Sequence, residues 1–210
     1  MSTQLYYITD RRQFPGDRME QERRLLEKIR ECAAAGVGYV QLREKDLSTR
    51  ALEELARMAM LAVRGSATRL LINARTDVAL ASGAHGVHQA GNDLWASEVR
   101  AVFARAGAAA PVIGVSAHSL ADVASAEAHG ADFAVFAPVY EKAGTANAEG
   151  LERLREICGR AHAVMPVFAL GGVTLQNARQ CIGAGAAGIA GIRLFQENDV
   201  QSVVSALRNL

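Results

Sequence analysis

Apolar positions along this chain follow two rhythms that alternate from one end to the other. Short runs with strand character occur at Leu5–Ile8, Tyr39–Arg43, Leu70–Asn73, Gly86–His88, Val112–Ser116, Phe133–Ala137, Val167–Leu170 and Ile189–Ile192. Amphipathic segments with a 3.6-residue period follow them, at about 19–35, 49–64, 76–82, 95–106, 119–129, 149–160, 174–183 and 199–209. Most of the strand runs are apolar almost throughout rather than alternating, which is the pattern of strands covered on both faces by helices. Eight such units predict an α/β fold, a single-domain (β/α)8 (TIM) barrel over residues 1–210, in preference to a doubly wound sheet. No Pro/Gly/Ser-rich linker divides the chain.

Four segments repeat one design: Ala33–Val40, Ala81–His88, Ala128–Val135 and Ile182–Ile189. Each reads as a helix end closed by Gly, a tight turn and then a buried strand. The last contains Gly183-Ala-Gly185-Ala-Ala-Gly188, a match to the dinucleotide fingerprint. That fingerprint works only where it follows a strand and opens a helix. Here the polarity is reversed, so a nicotinamide or flavin site is rejected.

Composition narrows the class. Half of the 210 residues are apolar, enough for a sizeable core, and 23 basic against 22 acidic residues leave a net charge of +1. Without a basic block, nucleic acid and membrane surfaces are poor partners. No apolar run approaches the ~18 residues needed to span a bilayer. The first residues lack the pattern of a secretory leader. Cys32, Cys158 and Cys181 are odd in number and lie in helical, apolar contexts, as small buried hydrophobes do in a reducing compartment. A cytoplasmic protein is expected; homo-oligomer formation stays open.

In a barrel of this kind chemistry belongs at the C-terminal strand ends. Those positions carry Thr9 and Asp10; Gln41, Arg43 and Lys45; Asn73 and Arg75; His88; Ser116 and His118; Gly171 and Gly172; and Arg193. In Tyr39-Val-Gln-Leu-Arg-Glu-Lys-Asp46 the period of two puts Gln41 and Arg43 on one face, opposite Val40 and Leu42. Arg43 and Lys45 either meet an anionic ligand or form an internal ion pair; Glu44 points away on a regular strand, which favours the ligand. Gly171-Gly172, after an apolar strand and before Thr174 as a helix cap, reads as a phosphate loop with Arg193 beside it, or as a turn that needs glycine. Asp93 reads as a magnesium ligand or a loop cap. His88 and His118 read as acid/base groups, metal ligands or packed polar side chains. The usual zinc, redox and hydrolase signatures are absent.

Taken together, Tyr7-Ile-Thr-Asp10, Gln41-Leu-Arg-Glu-Lys-Asp46, Leu71-Ile-Asn73, Gly86-Val-His88, Gly114-Val-Ser-Ala-His-Ser119, Gly130-Ala-Asp-Phe133, Pro138-Val-Tyr140, Gly171-Gly-Val-Thr174 and Asn177 resemble the thiamine phosphate synthase/TenI family over nearly the whole chain. The resemblance implies that a hydroxymethylpyrimidine diphosphate loses pyrophosphate and that a thiazole phosphate nitrogen captures the resulting cation. It places Gln41, Arg43, Lys45, Asn73 and Ser116 on the diphosphate, magnesium partly on Asp93, and Gly171-Gly172 on the thiazole phosphate. The pattern departs from the synthase in two places. Ala74 stands where an Asp normally binds magnesium, and Glu141–Ala146 replaces a Thr-x-Thr-Lys loop, with Lys142 the candidate substitute. The TenI branch, a thiazole tautomerase, shares Ala74-Arg-Thr-Asp77 and would use His118 as acid/base. A silent phosphate-binding relative is the third reading.

Overall fold

The computed structural model describes residues 3–91, 93–140, 148–160 and 165–210. Eight strands alternate with helices: β1 (Gln4–Ile8), α1 (Arg18–Ala35), β2 (Tyr39–Leu42), α2 (Thr49–Val63), β3 (Arg69–Asn73), α3 (Thr76–Ser82), β4 (Gly86–Gln89), α4 (Ala96–Arg105), β5 (Val112–Ala117), α5 (Leu120–Ala128), β6 (Phe133–Phe136), α6 (Ala148–Arg160), β7 (Val167–Ala169), α7 (Ala178–Gly183), β8 (Gly188–Gly191), α8 (Arg193–Gln196) and α9 (Val200–Arg208). Every strand pairs in parallel with its sequence neighbours, and β1 closes the ring on β8, with Gln4 opposite Gly188. The expected eightfold barrel is the observed one. No helix among the described residues is long and apolar enough to cross a membrane.

The strands are apolar on both faces because both are buried. Leu5, Tyr7, Val40, Leu42, Leu70 and Ile72 pack outward beneath the helices, whereas Tyr6, Ile8, Leu71, Phe133, Val135, Phe168 and Ala190 fill the barrel. Phe133 and Phe168 stack inside at 4.8 Å, and Tyr6 meets Phe133 edge-on at 5.4 Å. Gly114 makes room for that cluster: a Cβ there would lie 2.5 Å from the Phe133 ring and 2.8 Å from His88 Nδ1. At the four repeat junctions Gly36, Gly83, Gly130 and Gly185 all take the left-handed conformation expected of them. Gly183 ends a helix and Gly188 opens a strand, the polarity that ruled out a dinucleotide loop.

Two elements differ from the sequence expectation. The helix placed at 174–183 begins only at Ala178, and Thr174 does not cap it. Instead the Asn177 side chain accepts from Thr174 N at 2.7 Å and donates to Gly172 O at 3.0 Å, closing a turn that consumes those residues. The four-residue α8 was missed, being too short for any periodicity. Leu194 and Phe195 are buried, and Gln196 clamps the main chain of Asp10, accepting from its N–H at 2.9 Å and donating to its carbonyl at 3.1 Å.

Candidate active site

The C-terminal ends of the strands surround a cavity of about 610 Å³. Its polar wall brings together Gln41 and Arg43 from β2 and its exit, Lys45, Asn73, Ser116 and His118; Ile8, Leu42, Val135, Leu170 and Ile192 supply apolar surface. Burial grades along the wall. Gln41 is buried, Arg43, Asn73 and Ser116 are half-buried, and Lys45 and His118 are exposed.

A hydrogen-bonded chain runs through the cavity wall and reaches Tyr6 inside the barrel. Gln41 Nε2 donates to the Tyr6 hydroxyl at 3.0 Å, and that hydroxyl contacts His88 Nδ1 at 3.1 Å. On the other side of the ring, His88 Nε2 lies 2.9 Å from Ser116 Oγ. With Gln41 donating, the Tyr6 proton is directed at Nδ1, so the His88 ring carries its proton on Nε2 and donates to Ser116. The Ser116 hydroxyl proton is thereby released toward the cavity. His88 is buried, and burial, reinforced by the nearby Arg43 charge, pushes its ring down to about 3. It is a neutral linker in the wall. Of its three sequence readings the structure matches the packed polar side chain.

His118 is set differently. Its main-chain N–H donates to Asp122 Oδ2 at 2.8 Å, and its Nδ1 sits 2.7 Å from the Ala137 carbonyl. A carbonyl only accepts, so Nδ1 is the donor in this contact and Nε2 is the ring nitrogen left to face a ligand.

Arg43 and Lys45 form no ion pair among the described residues, although Glu44 and Asp46 alternate with them in sequence. Those two carboxylates are engaged by Arg11, at the start of a 3-10 turn (Arg11–Gln13) after β1. Thr9 adds a 2.6 Å hydrogen bond to Glu44 Oε1. Arg75 is likewise spoken for, by Asp77 at 2.5 Å.

A family model for thiamine monophosphate synthase matches residues 5–195. The chain belongs to this family. A Geobacter sulfurreducens protein provisionally named thiamine-phosphate synthase is 42% identical over 189 residues, covering 89% of this chain and 83% of the relative. The thiamine-phosphate synthase of Syntrophomonas wolfei is 33% identical over 210 residues, 98% of this chain and 95% of its own. Among solved structures, the thiamine phosphate pyrophosphorylase of Pyrococcus furiosus superposes with a TM-score of 0.79 at 30% identity, covering 98% of this chain and 94% of that one.

The remaining described candidates of this synthase-family chain, Gly171, Gly172, Arg193 and Asp93, fall outside the cavity wall. Gly171 and Gly172 both have positive φ, 94° and 61°, and Gly171 is close-packed, since a Cβ there would lie 2.8 Å from Pro138 Cα. The turn therefore needs glycine on steric grounds, and it lies beyond the Leu170 that lines the cavity. Arg193 is exposed in the first turn of α8. Lys142 lies outside the described residues. Asp93 accepts from Leu94 N at 2.8 Å and lines a second, smaller cavity with Asp122 and His129.

That placement bears on magnesium. A protein-held magnesium needs one or two carboxylates beside substrate phosphate oxygens. The carboxylate on the cavity wall, Glu44, is committed to Thr9 and Arg11. Position 74 supplies a methyl group, and no group of three His, Cys, Asp or Glu among the described residues is arranged to hold a metal. Among the described residues, the mouth therefore offers magnesium no uncommitted carboxylate.

Sequence reasoning missed Arg11 and Tyr6 as parts of the site. Arg11 left one faint signal, a cation directly after β1 where the neighbouring β2 exit alternates charge. Tyr6 left none, because an inward aromatic in a strand looks like core.

Proposed function

We propose that this protein makes thiamine phosphate by joining an aminopyrimidine diphosphate to a thiazole phosphate, with release of pyrophosphate. Membership of the synthase family supports the reaction class. The observation that carries the assignment to this site is a pair of cations, Arg43 and Lys45, on the wall of the barrel-mouth cavity, neither in an ion pair among the described residues. In the reaction the bond between the pyrimidine methylene carbon and the diphosphate oxygen breaks, its electron pair leaving with pyrophosphate. The thiazole nitrogen lone pair then forms the new C–N bond, and no proton transfer is required for balance.

Arg43 and Lys45 meet the charge that grows on the leaving oxygens, and Ser116 and Asn73 add uncharged donors. Such groups act most strongly where they are already oriented, as Ser116 is by His88. Gln41 faces the same cavity and orients the pyrimidine; the apolar wall at Ile8, Val135 and Ile192 shelters its ring. The Gly171-Gly172 turn and Arg193 take the thiazole phosphate, with Lys142 as a further cation. His118 offers Nε2 as an acceptor to bound substrate. Phosphorylated small molecules are the partners this site suits. No step is routed through magnesium, to which the described cavity wall offers no uncommitted carboxylate.

Thiamine phosphate formation from the two purified substrates tests the reading directly. The native protein is expected to turn over, and absence of product would refute the assignment. The tautomerase reading needs His118 alone and leaves Arg43 and Lys45 without a task. Isomerisation activity without coupling activity would reinstate it.

A further inference from the structure

Residues 43–46 carry the charges plus, minus, plus, minus and sum to zero. Left to pair among themselves, they would present a neutral rim. A third cation, Arg11, engages both acids. The Arg11 main-chain N–H lies 3.2 Å from each Glu44 carboxylate oxygen, and its Nη1 donates to Glu44 Oε2 at 2.9 Å. The same guanidinium forks onto Asp46, Nη1 to Oδ1 and Nη2 to Oδ2, both at 2.7 Å. Thr9 joins the arrangement from both sides, donating to Glu44 at 2.6 Å and accepting from Arg43 N at 2.9 Å. The side chains of Arg11 and Glu44 are only 5% and 1% exposed, so this is a fixed internal pair, unlike the exposed helix pairs elsewhere. Asp10, the preceding residue, is itself clamped by Gln196.

We propose that Arg11 is a positioning residue: it draws Glu44 and Asp46 away from Arg43 and Lys45, so that these two cations reach the barrel mouth un-neutralised and hold a diphosphate. The inference rests on the diphosphate reading of this cavity. Its physical content is a partition of charge. One guanidinium, whose planar fork serves a carboxylate with two parallel hydrogen bonds and still reaches a second, retires two negative charges from the rim. The chemistry so exposed, two cations beside the Ser116 hydroxyl, is that of a diphosphate ester or free pyrophosphate.

A merely structural ion pair and a charge-partitioning one respond differently to rescue. Binding of inorganic pyrophosphate, measured by titration calorimetry with a chelator present so that no divalent cation bridges the anion, reads the site without catalysis. Arg11→Met frees both carboxylates, and its affinity is expected to fall about tenfold or more, the size of effect that one or two added charges near a partly screened site produce. Adding Glu44→Gln and Asp46→Asn to Arg11→Met removes the freed charges, and affinity is expected to return to within about threefold of the native value. Loss without rescue, or no loss in a folded Arg11→Met protein, overturns the proposal. Should Arg11→Met not fold, Arg11→Lys replaces it: one ammonium cannot serve both carboxylates, so binding weakens and Asp46→Asn restores it, and equal binding by both Lys variants overturns the proposal. Failure of the native protein to bind pyrophosphate overturns the reading of the cavity itself, and with it this one.

Discussion

The buried His88 makes a prediction whose size can be worked out. In the folded protein its ring is held near 3, against an ordinary value of 6.5, because burial, with the Arg43 charge as a smaller contribution, disfavours the imidazolium. Protonation would also turn Nδ1 into a donor facing the Tyr6 hydroxyl, whose acceptor side already receives Gln41. The sign follows from proton counting. Below 6.5 the unfolded chain binds a proton here that the native chain does not, so the stability present above that pH is lost as pH falls toward 3. Between pH 7.5 and pH 5 the loss is about 2 kcal/mol, and by pH 3 it reaches about 4 kcal/mol, a large part of the ~5–15 kcal/mol that holds a typical domain together. Urea unfolding of the native protein and of His88→Gln at pH 7.5 and pH 5 isolates this residue, since other groups cancel in the comparison. The stability advantage of the native protein over the variant should shrink by about 2 kcal/mol at the lower pH. Parallel pH dependence in the two proteins would refute the reasoning.

Other positions give further tests. Arg43→Gln and Lys45→Gln should each lower kcat by roughly a hundredfold while changing KM less, because the charge they meet grows in the transition state; steady-state kinetics decide this, and a pure KM effect would count against it. Ala74 stands at φ 56°, the sole non-glycine with positive φ among the described residues, so Ala74→Gly should raise stability by about 0.5–1 kcal/mol in denaturant melts. The Tyr7 hydroxyl is buried with no hydrogen-bond partner among the described residues, and Tyr7→Phe should therefore be neutral or stabilising by up to about 1 kcal/mol in denaturant melts; a loss above that size would refute this.

Much of the architecture was legible before folding because it rests on local and periodic information. The two-residue rhythm of β2, the 3.6-residue rhythm of α1 and the left-handed glycines at 36, 83, 130 and 185 are properties of short stretches. Eight repeats of one such unit permit few arrangements, and strand polarity then puts Gln41, Arg43, Lys45, Asn73, Ser116 and His118 at one end of the barrel. The order of helix and strand around residues 183–188, also a local property, runs the wrong way for a dinucleotide loop.

Pairings between residues far apart in the chain emerged only on folding. Arg11 meets Glu44 across β1 and β2, Tyr6 meets His88 across the barrel, and Asp93 turns to a different cavity from the one its motif suggested. Charge sums and periodicity are blind to these contacts, since the alternating signs at 43–46 look self-neutralising until a cation from another strand end claims both carboxylates. Which side chains remain unpaired among the described residues is a property of three-dimensional neighbours, and the proposed chemistry depends on two of them, Arg43 and Lys45.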